Sequence, residues 1–191
     1  MKIAVVFHSG YGHTKKLANA VFEGLKAHES ATSTLIEINE DGEITDDEWG
    51  VLDDAGAIIF GSPTYMGMVS WQFKKFADAS SKRWFEDTWR NKLAGGFTNS
   101  AAMNGDKHST LHYFITLAMQ HGMVWAGMGM KAANTKDAKR DDINYVGAFS
   151  GLMAQSPQDA SVEESPTQGD LDTARAYADR IVEVTTTWAN K

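Results

Sequence analysis

Apolar residues along the chain follow two alternating patterns. Some form short unbroken runs; others return every third or fourth position over longer stretches. The first run, Lys2–Phe7, reads Lys-Ile-Ala-Val-Val-Phe and predicts a strand buried on both faces. Leu17, Ala18, Val21, Phe22 and Leu25 then recur at helical spacing, which predicts an amphipathic helix to about residue 28. Residues 32–38 read as a second strand. Thr45-Asp-Asp-Glu48 has the form of a capping box opening a short helix. Residues 56–60 form another buried run, and 71–79 carry Phe73, Phe76 and Ala77 at helical spacing. A fourth strand is predicted over 92–99, a helix over 109–121 and a fifth strand over 123–127. A closing helix over 169–189 has Leu171, Ala174, Ala178, Ile181 and Val182 on one face.

Five strands alternating with helices define an α/β fold, a parallel sheet with helices on both faces. Ligands of such sheets bind beyond the carboxyl ends of the strands. Three loops on that edge have unusual composition: residues 9–14, 62–68 and 98–106. The first, Ser9-Gly-Tyr-Gly-His-Thr14, joins a strand to a helix and points backbone amides at one spot. It lacks the Gly-x-x-x-x-Gly-Lys-Ser/Thr spacing of a triphosphate loop. It also holds Lys15 where a dinucleotide fingerprint needs its third glycine. Two readings remain: a hydroxyl-rich cradle for one terminal phosphate, or an ordinary strand–helix turn with a Ser/Thr cap. Residues 129–168 carry no strong periodicity, and about forty such residues is long for a compact domain. They are expected to form a long insertion in a single domain spanning 1–191. Within it, the apolar 144–150 is expected to fold back onto the body, and the polar 159–168 to lie on the surface.

The 191 residues suit one domain, and the net charge of −7 without basic clusters argues against nucleic acid as a partner. The chain has no cysteine, which excludes disulfides, thiolate metal sites and a Cys nucleophile. With no signal-peptide pattern and no long apolar stretch, the expectation is a cytoplasmic protein without a membrane partner. His108 and His112 have helical i, i+4 spacing but no third ligand near them in sequence, so no metal site is expected.

With the loops in place, the sequence resembles the flavodoxin-like superfamily. Within it, the likeness is to the WrbA-type FMN-dependent NAD(P)H:quinone oxidoreductases. The motifs that carry it are Ser9-Gly-Tyr-Gly-His-Thr14, Ile59-Phe-Gly-Ser-Pro-Thr-Tyr-Met-Gly67 and Leu117-Ala-Met-Gln-His-Gly-Met123. The resemblance implies a five-stranded parallel sheet of order 2-1-3-4-5, FMN as cofactor and NAD(P)H as electron donor. It further implies a quinone-type acceptor and a homo-oligomer, dimer or tetramer. By position, Ser9, Gly10, Tyr11, Gly12, His13 and Thr14 would hold the FMN phosphate. Pro63, Thr64, Tyr65, Met66 and Gly67 would run along the isoalloxazine ring. Thr98, Asn99, Ser100, Asn104, Gly105 and Asp106 would wrap the ribityl chain and the ring's other side. His121 would stand near the flavin as the catalytic histidine. Trp84, from a neighbouring subunit, would roof the site, and Tyr11 would join it in contacting substrate. The alternatives are a flavodoxin-type one-electron carrier and a flavin-free binding module. Two departures from the family pattern stand out. Tyr65-Met66 replaces an arginine–aromatic pair, which removes a cation near the reduced flavin. Ala101-Ala-Met-Asn-Gly-Asp106 replaces a glycine-rich loop, which bears on the flavin's fit.

Overall fold

The computed structural model describes residues 1–189. In chain order it contains β1 (Lys2–Phe7), α1 (His13–Lys26), β2 (Thr32–Glu37), α2 (Asp46–Asp54), β3 (Ala57–Tyr65) and β4 (Met68–Val69). It continues with α3 (Trp71–Ala79), α4 (Ser81–Phe85), β5 (Leu93–Ser100), α5 (Lys107–Gln120), β6 (Val124–Trp125), β7 (Leu152–Gln155) and α6 (Gln168–Ala189). The sheet runs β2-β1-β3-β5-β6, with β4 paired to β3 and β7 to β5. All pairs are parallel except β3–β4. Among the described residues no helix is long and apolar enough to cross a membrane.

Alternate residues of β1 feed two separate cores, as the two-residue period of a strand dictates. Ile3, Val5 and Phe7 pack with α1 and α6, whereas Ala4 and Val6 pack with α2, α3 and α5. The capping box at α2 is present in both halves: Thr45 accepts from the Glu48 amide, and Glu48 accepts from the Thr45 amide.

The expected order of the parallel strands is correct, but the count of five is not: the sheet has seven strands. Two features account for the difference. First, residues 61–65 continue β3 instead of forming a loop. The chain then turns back through Met66 and Gly67, both at positive φ, so that Tyr65 pairs with Met68. That is the geometry of a two-residue hairpin turn. Second, the fifth sheet position is shared by two short strands. β6 lies beside Leu93 and Ala94 of β5, while β7 lies beside Phe97 to Ser100.

Between these two registers Gly95 and Gly96 pair with Ile59 and Phe60 of β3 on one side but have no strand partner on the other. The Tyr177 hydroxyl fills the break, accepting from the Gly96 amide at 3.1 Å and donating to the Ala126 carbonyl at 2.9 Å. A Cβ on Gly95 would stand 2.6 Å from that hydroxyl, and one on Gly96 would stand 2.8 Å from the Phe114 ring. Burial pushes the Tyr177 phenol well above its ordinary pKa, so it stays a neutral donor.

Residues 129–168 include β7. The segment between β6 and β7 is fastened by polar contacts. Asn144 exchanges two side-chain hydrogen bonds with the Ala148 backbone, and its own amide donates to Thr173 Oγ1. Arg140 forks onto Asp170, which is 2% exposed and also accepts from the Gln155 amide at 3.0 Å. Of the apolar residues expected to fold back, Ala148 is buried but Phe149 is exposed.

Tyr177→Phe removes the bridging hydroxyl and strands two buried backbone groups. The expected loss is about 1–3 kcal/mol for each group left unsatisfied. Urea unfolding, followed by circular dichroism, measures it.

Candidate functional site

Parallel pairing brings the ends of β1, β3 and β5 to one edge; Pro63 lies directly beside Asn99. There the chain encloses a cleft of about 960 Å3. Tyr11, His13 and Thr14 form one wall, Pro63 to Met66 a second, and Asn99 to Ala101 a third. The fourth wall, formed by Ser156, Pro157, Gln158, Ala160, Ser161 and Val162, went unrecognised in the sequence. Residues 159–162 of it belong to the polar 159–168 segment expected at the surface, and Asp159 and Ser161 are indeed exposed while the stretch borders the cleft. It leaves β7 and crosses the first loop. Lys16 Nζ donates to the carbonyls of Val162 at 2.7 Å and Glu163 at 2.9 Å, and His13 Nδ1–H donates to the Ser165 carbonyl at 3.0 Å. Gly12 sits beneath Val162 with φ of 92°, a close approach and a backbone state that together favour glycine.

Ser9 Oγ accepts from the amides of Gly12 at 3.2 Å and Lys15 at 3.1 Å, so this hydroxyl shapes the first loop. The amides of Tyr11, His13 and Thr14 have no partner among the described residues, and the latter two belong to the orphan donors of the first turn of α1. Thr14 is buried and lines the cleft. Tyr11 is 80% exposed at the mouth, with its ring edge-on to Tyr65 at 6.0 Å. The Tyr65 hydroxyl lies over Gly10, and burial, with the Tyr11 phenol next, holds its pKa above the ordinary value.

Beneath the floor, Thr64 Oγ1 lies 2.8 Å from both Thr98 Oγ1 and Thr110 Oγ1, a chain of three hydroxyls that fixes the second wall against the third. Thr98 is thus a support beneath the cleft and does not line it. Gly67 stands at the open hairpin tip with nothing near it. Asn104, Gly105 and Asp106 are also outside the cleft lining. Asn104 Oδ1 caps the Asp106 amide at 3.0 Å, and Gly105 and Asp106 take positive φ to enter α5.

The structure does not bring His121 or Trp84 to the cleft. α3 and α5 both run back to the opposite edge of the sheet. There His121 caps α5 and lies against Trp89, ring centroids 4.4 Å apart. Ser80 Oγ donates to the Ala77 carbonyl and accepts from His121 Nε2–H at 2.8 Å. That leaves His121 Nδ1 a bare, buried lone pair. Burial lowers the His121 pKa to about 4. Trp84, half-exposed on α4, starts from the same edge. No cluster of metal-ligating side chains is present among the described residues.

Residues 1–136 match the NADPH-dependent FMN reductase family, and the chain belongs to it. This is an FMN-dependent, flavodoxin-like oxidoreductase family. The chain is similar over 183 residues to Flavodoxin FldP of Pseudomonas aeruginosa, with 49% identity and 96% of each chain covered. It is 29% identical over 203 residues to an NAD(P)H dehydrogenase (quinone) of Solidesulfovibrio magneticus, covering 97% of this chain and 98% of the relative. Among solved structures, the flavodoxin, WrbA-like protein from Agrobacterium tumefaciens superposes with a TM-score of 0.77 at 47% identity, covering 97% and 98% of the two chains.

The residues present fit FMN. Unpartnered amides and Thr14 would hold its phosphate, and Pro63 to Met66 with Asn99 to Ala101 would flank its ring. The cleft lies at the upper end of the roughly 300–1,000 Å3 range of cofactor sites.

A neutral, buried His121 makes acid unfolding a test of its placement. Its folded pKa lies below the unfolded 6.5, so the unfolded chain binds the extra proton. Stability then falls as pH drops from about 6.5 to about 4, by about 1.4 kcal/mol for each unit of depression. His121→Phe flattens that limb of a urea-stability profile, whereas a solvent-exposed histidine would show no such limb.

Proposed function

We propose that the chain holds FMN and passes two electrons from NAD(P)H to a quinone or similar planar acceptor. The observation that carries this reading is the cleft itself, about 960 Å3 with an uncharged mouth of Tyr11, Tyr65 and the exposed Met66. When bound, FMN supplies the hydride and electron chemistry. The protein binds, orients and excludes water. The Tyr11, His13 and Thr14 amides receive the phosphate, the second and third walls hold the ring edge, and the 156–162 segment closes the outer side. Tyr11 and Tyr65 offer faces against which an acceptor can stack. The name of the Pseudomonas relative favours a second reading, a flavodoxin-type one-electron carrier. The polar bonds within the third loop support flavin binding over a flavin-free module, because that loop holds its shape without a glycine-rich sequence.

The test is to titrate the purified chain with FMN, add NADH or NADPH anaerobically, then add a quinone. The proposal expects stoichiometric bleaching of the flavin by nicotinamide and its reoxidation by quinone. Two separate one-electron waves in potentiometry, with no reaction with nicotinamide, would instead establish the carrier. Failure to bind FMN would remove both.

The proposal includes a homo-oligomer in which Trp84 of one copy covers the cleft of another, supported by the exposed Trp84 and Phe85 side by side on α4. Trp84→Ala is expected to lower quinone turnover several-fold while FMN affinity stays near its original value. Equal losses in both would count against this arrangement.

A further inference from the structure

Lys107 is the first residue of α5 and its side chain is 0% exposed. Its ammonium donates to Ser100 Oγ at 3.0 Å, to the Ala102 carbonyl at 2.7 Å and to the Met103 carbonyl at 2.8 Å. All three donors are thus satisfied by uncharged oxygens of the loop that forms the third wall. Gln155 Nε2 takes the neighbouring Ala101 carbonyl at 3.0 Å. Three successive carbonyls are therefore held on the protein side. In a planar trans peptide the following N–H points the opposite way. The amides of Met103 and Asn104, which follow the two carbonyls held by Lys107, accordingly face away from it, and neither has a partner among the described residues. Other lysines near the cleft are engaged elsewhere: Lys15 pairs with Glu37 at 2.6 Å, and Lys16 binds the 162–163 carbonyls.

We propose that Lys107 is a positioning residue that raises the reduction potential of the bound flavin, by placing a positive charge directly behind Ser100 in the wall on which the ring rests. The proposal depends on FMN binding. A reduced, anionic ring gains from that charge, while the neutral oxidised ring gains little. Charge placed behind the loop takes over the task of the cation absent at Tyr65.

The charge is also titratable. Burial lowers the Lys107 pKa to about 8, with Asp170 acting to raise it and Arg140 to lower it further. Those two groups form an ion pair with each other, so their effects on Lys107 oppose. Above about pH 8 the ammonium loses its proton, and the preference for the reduced ring goes with it.

The experiment is potentiometry of the FMN-loaded wild type, Lys107→Met and Lys107→Arg, from about pH 6 to about pH 10, with oxidised-FMN affinity measured by flavin fluorescence. In Lys107→Met, reduced FMN is expected to bind about tenfold more weakly relative to oxidised FMN, a fall of about 30 mV for a two-electron couple. Lys107→Arg keeps the neutral-pH potential but loses the extra fall that the wild type shows above about pH 8. Equal potentials and slopes in wild type and Lys107→Met overturn the proposal, as does a fall of the same size in Lys107→Arg. If Lys107→Met does not fold, the pH profiles of wild type and Lys107→Arg decide alone. A wild type that binds no FMN removes the cofactor reading and this proposal together; one that binds it with unaltered potentials removes only the proposal.

Discussion

One hydroxyl group holds the edge of the sheet in two pieces, and much of the cleft follows from it. Tyr177 bridges the Gly96 amide and the Ala126 carbonyl at the point where neither β6 nor β7 continues the ladder. Buried backbone groups must be paired, so a broken edge strand survives only with such a substitute. Because the second piece, β7, lies beside the upper half of β5, the chain leaves it at the mouth of the cleft. To reach α6 it must cross the first loop. Val162 then packs over Gly12, and Lys16 and His13 take carbonyls from the crossing segment. A break in the sheet thus becomes the fourth wall of the site.

The electrostatics of the cleft run against those of the chain. The net charge is −7, yet none of the residues lining the cleft is acidic. Its polar contributions are amides, hydroxyls and carboxamides, with a buried ammonium behind one wall. Such a site receives a phosphate without repelling it. The acidic side chains are placed elsewhere, many in lysine or arginine pairs on the surface, which contribute little to stability. Asp170 is the exception. It is buried and held by Arg140 and the Gln155 amide, and it anchors the inserted segment to α6.

Much of the fold was legible because buried parallel strands and amphipathic helices leave strong, distinct periods. Ile3 to Phe7 and Leu17 to Leu25 announce themselves. The first loop was legible too, since a small-residue turn between such elements has few other uses. What was hidden depends on contacts distant in sequence. β7 is four residues long, below the length at which a period can be read. The 156–162 wall is polar because it is half-solvated, and polarity alone reads as surface. Lys107 looks like any helix-opening lysine until the loop closes over it. His121 and Trp84 were taken from the resemblance; in this chain the return of α3 and α5 carries both to the far edge of the sheet. The 61–65 stretch, rich in small and turn-forming residues, read as a loop, but pairing with β5 keeps it extended.

The two β5 positions without a partner on the β6–β7 side also bear on how much chain the fold needs. Trp125 is in register with Ala94, and Leu152 with Phe97. A linker of only two residues, lying beside Gly95 and Gly96, would join them into one unbroken fifth strand. Everything from 126 to 151 is then topologically dispensable: it can be gained or lost at a single point without moving any other strand. Its removal would make the Tyr177 hydroxyl redundant and would leave the fourth wall anchored by β7, Lys16 and His13. The same sheet can therefore be built in a longer and a shorter edition, and only the longer one has work for the Tyr177 hydroxyl.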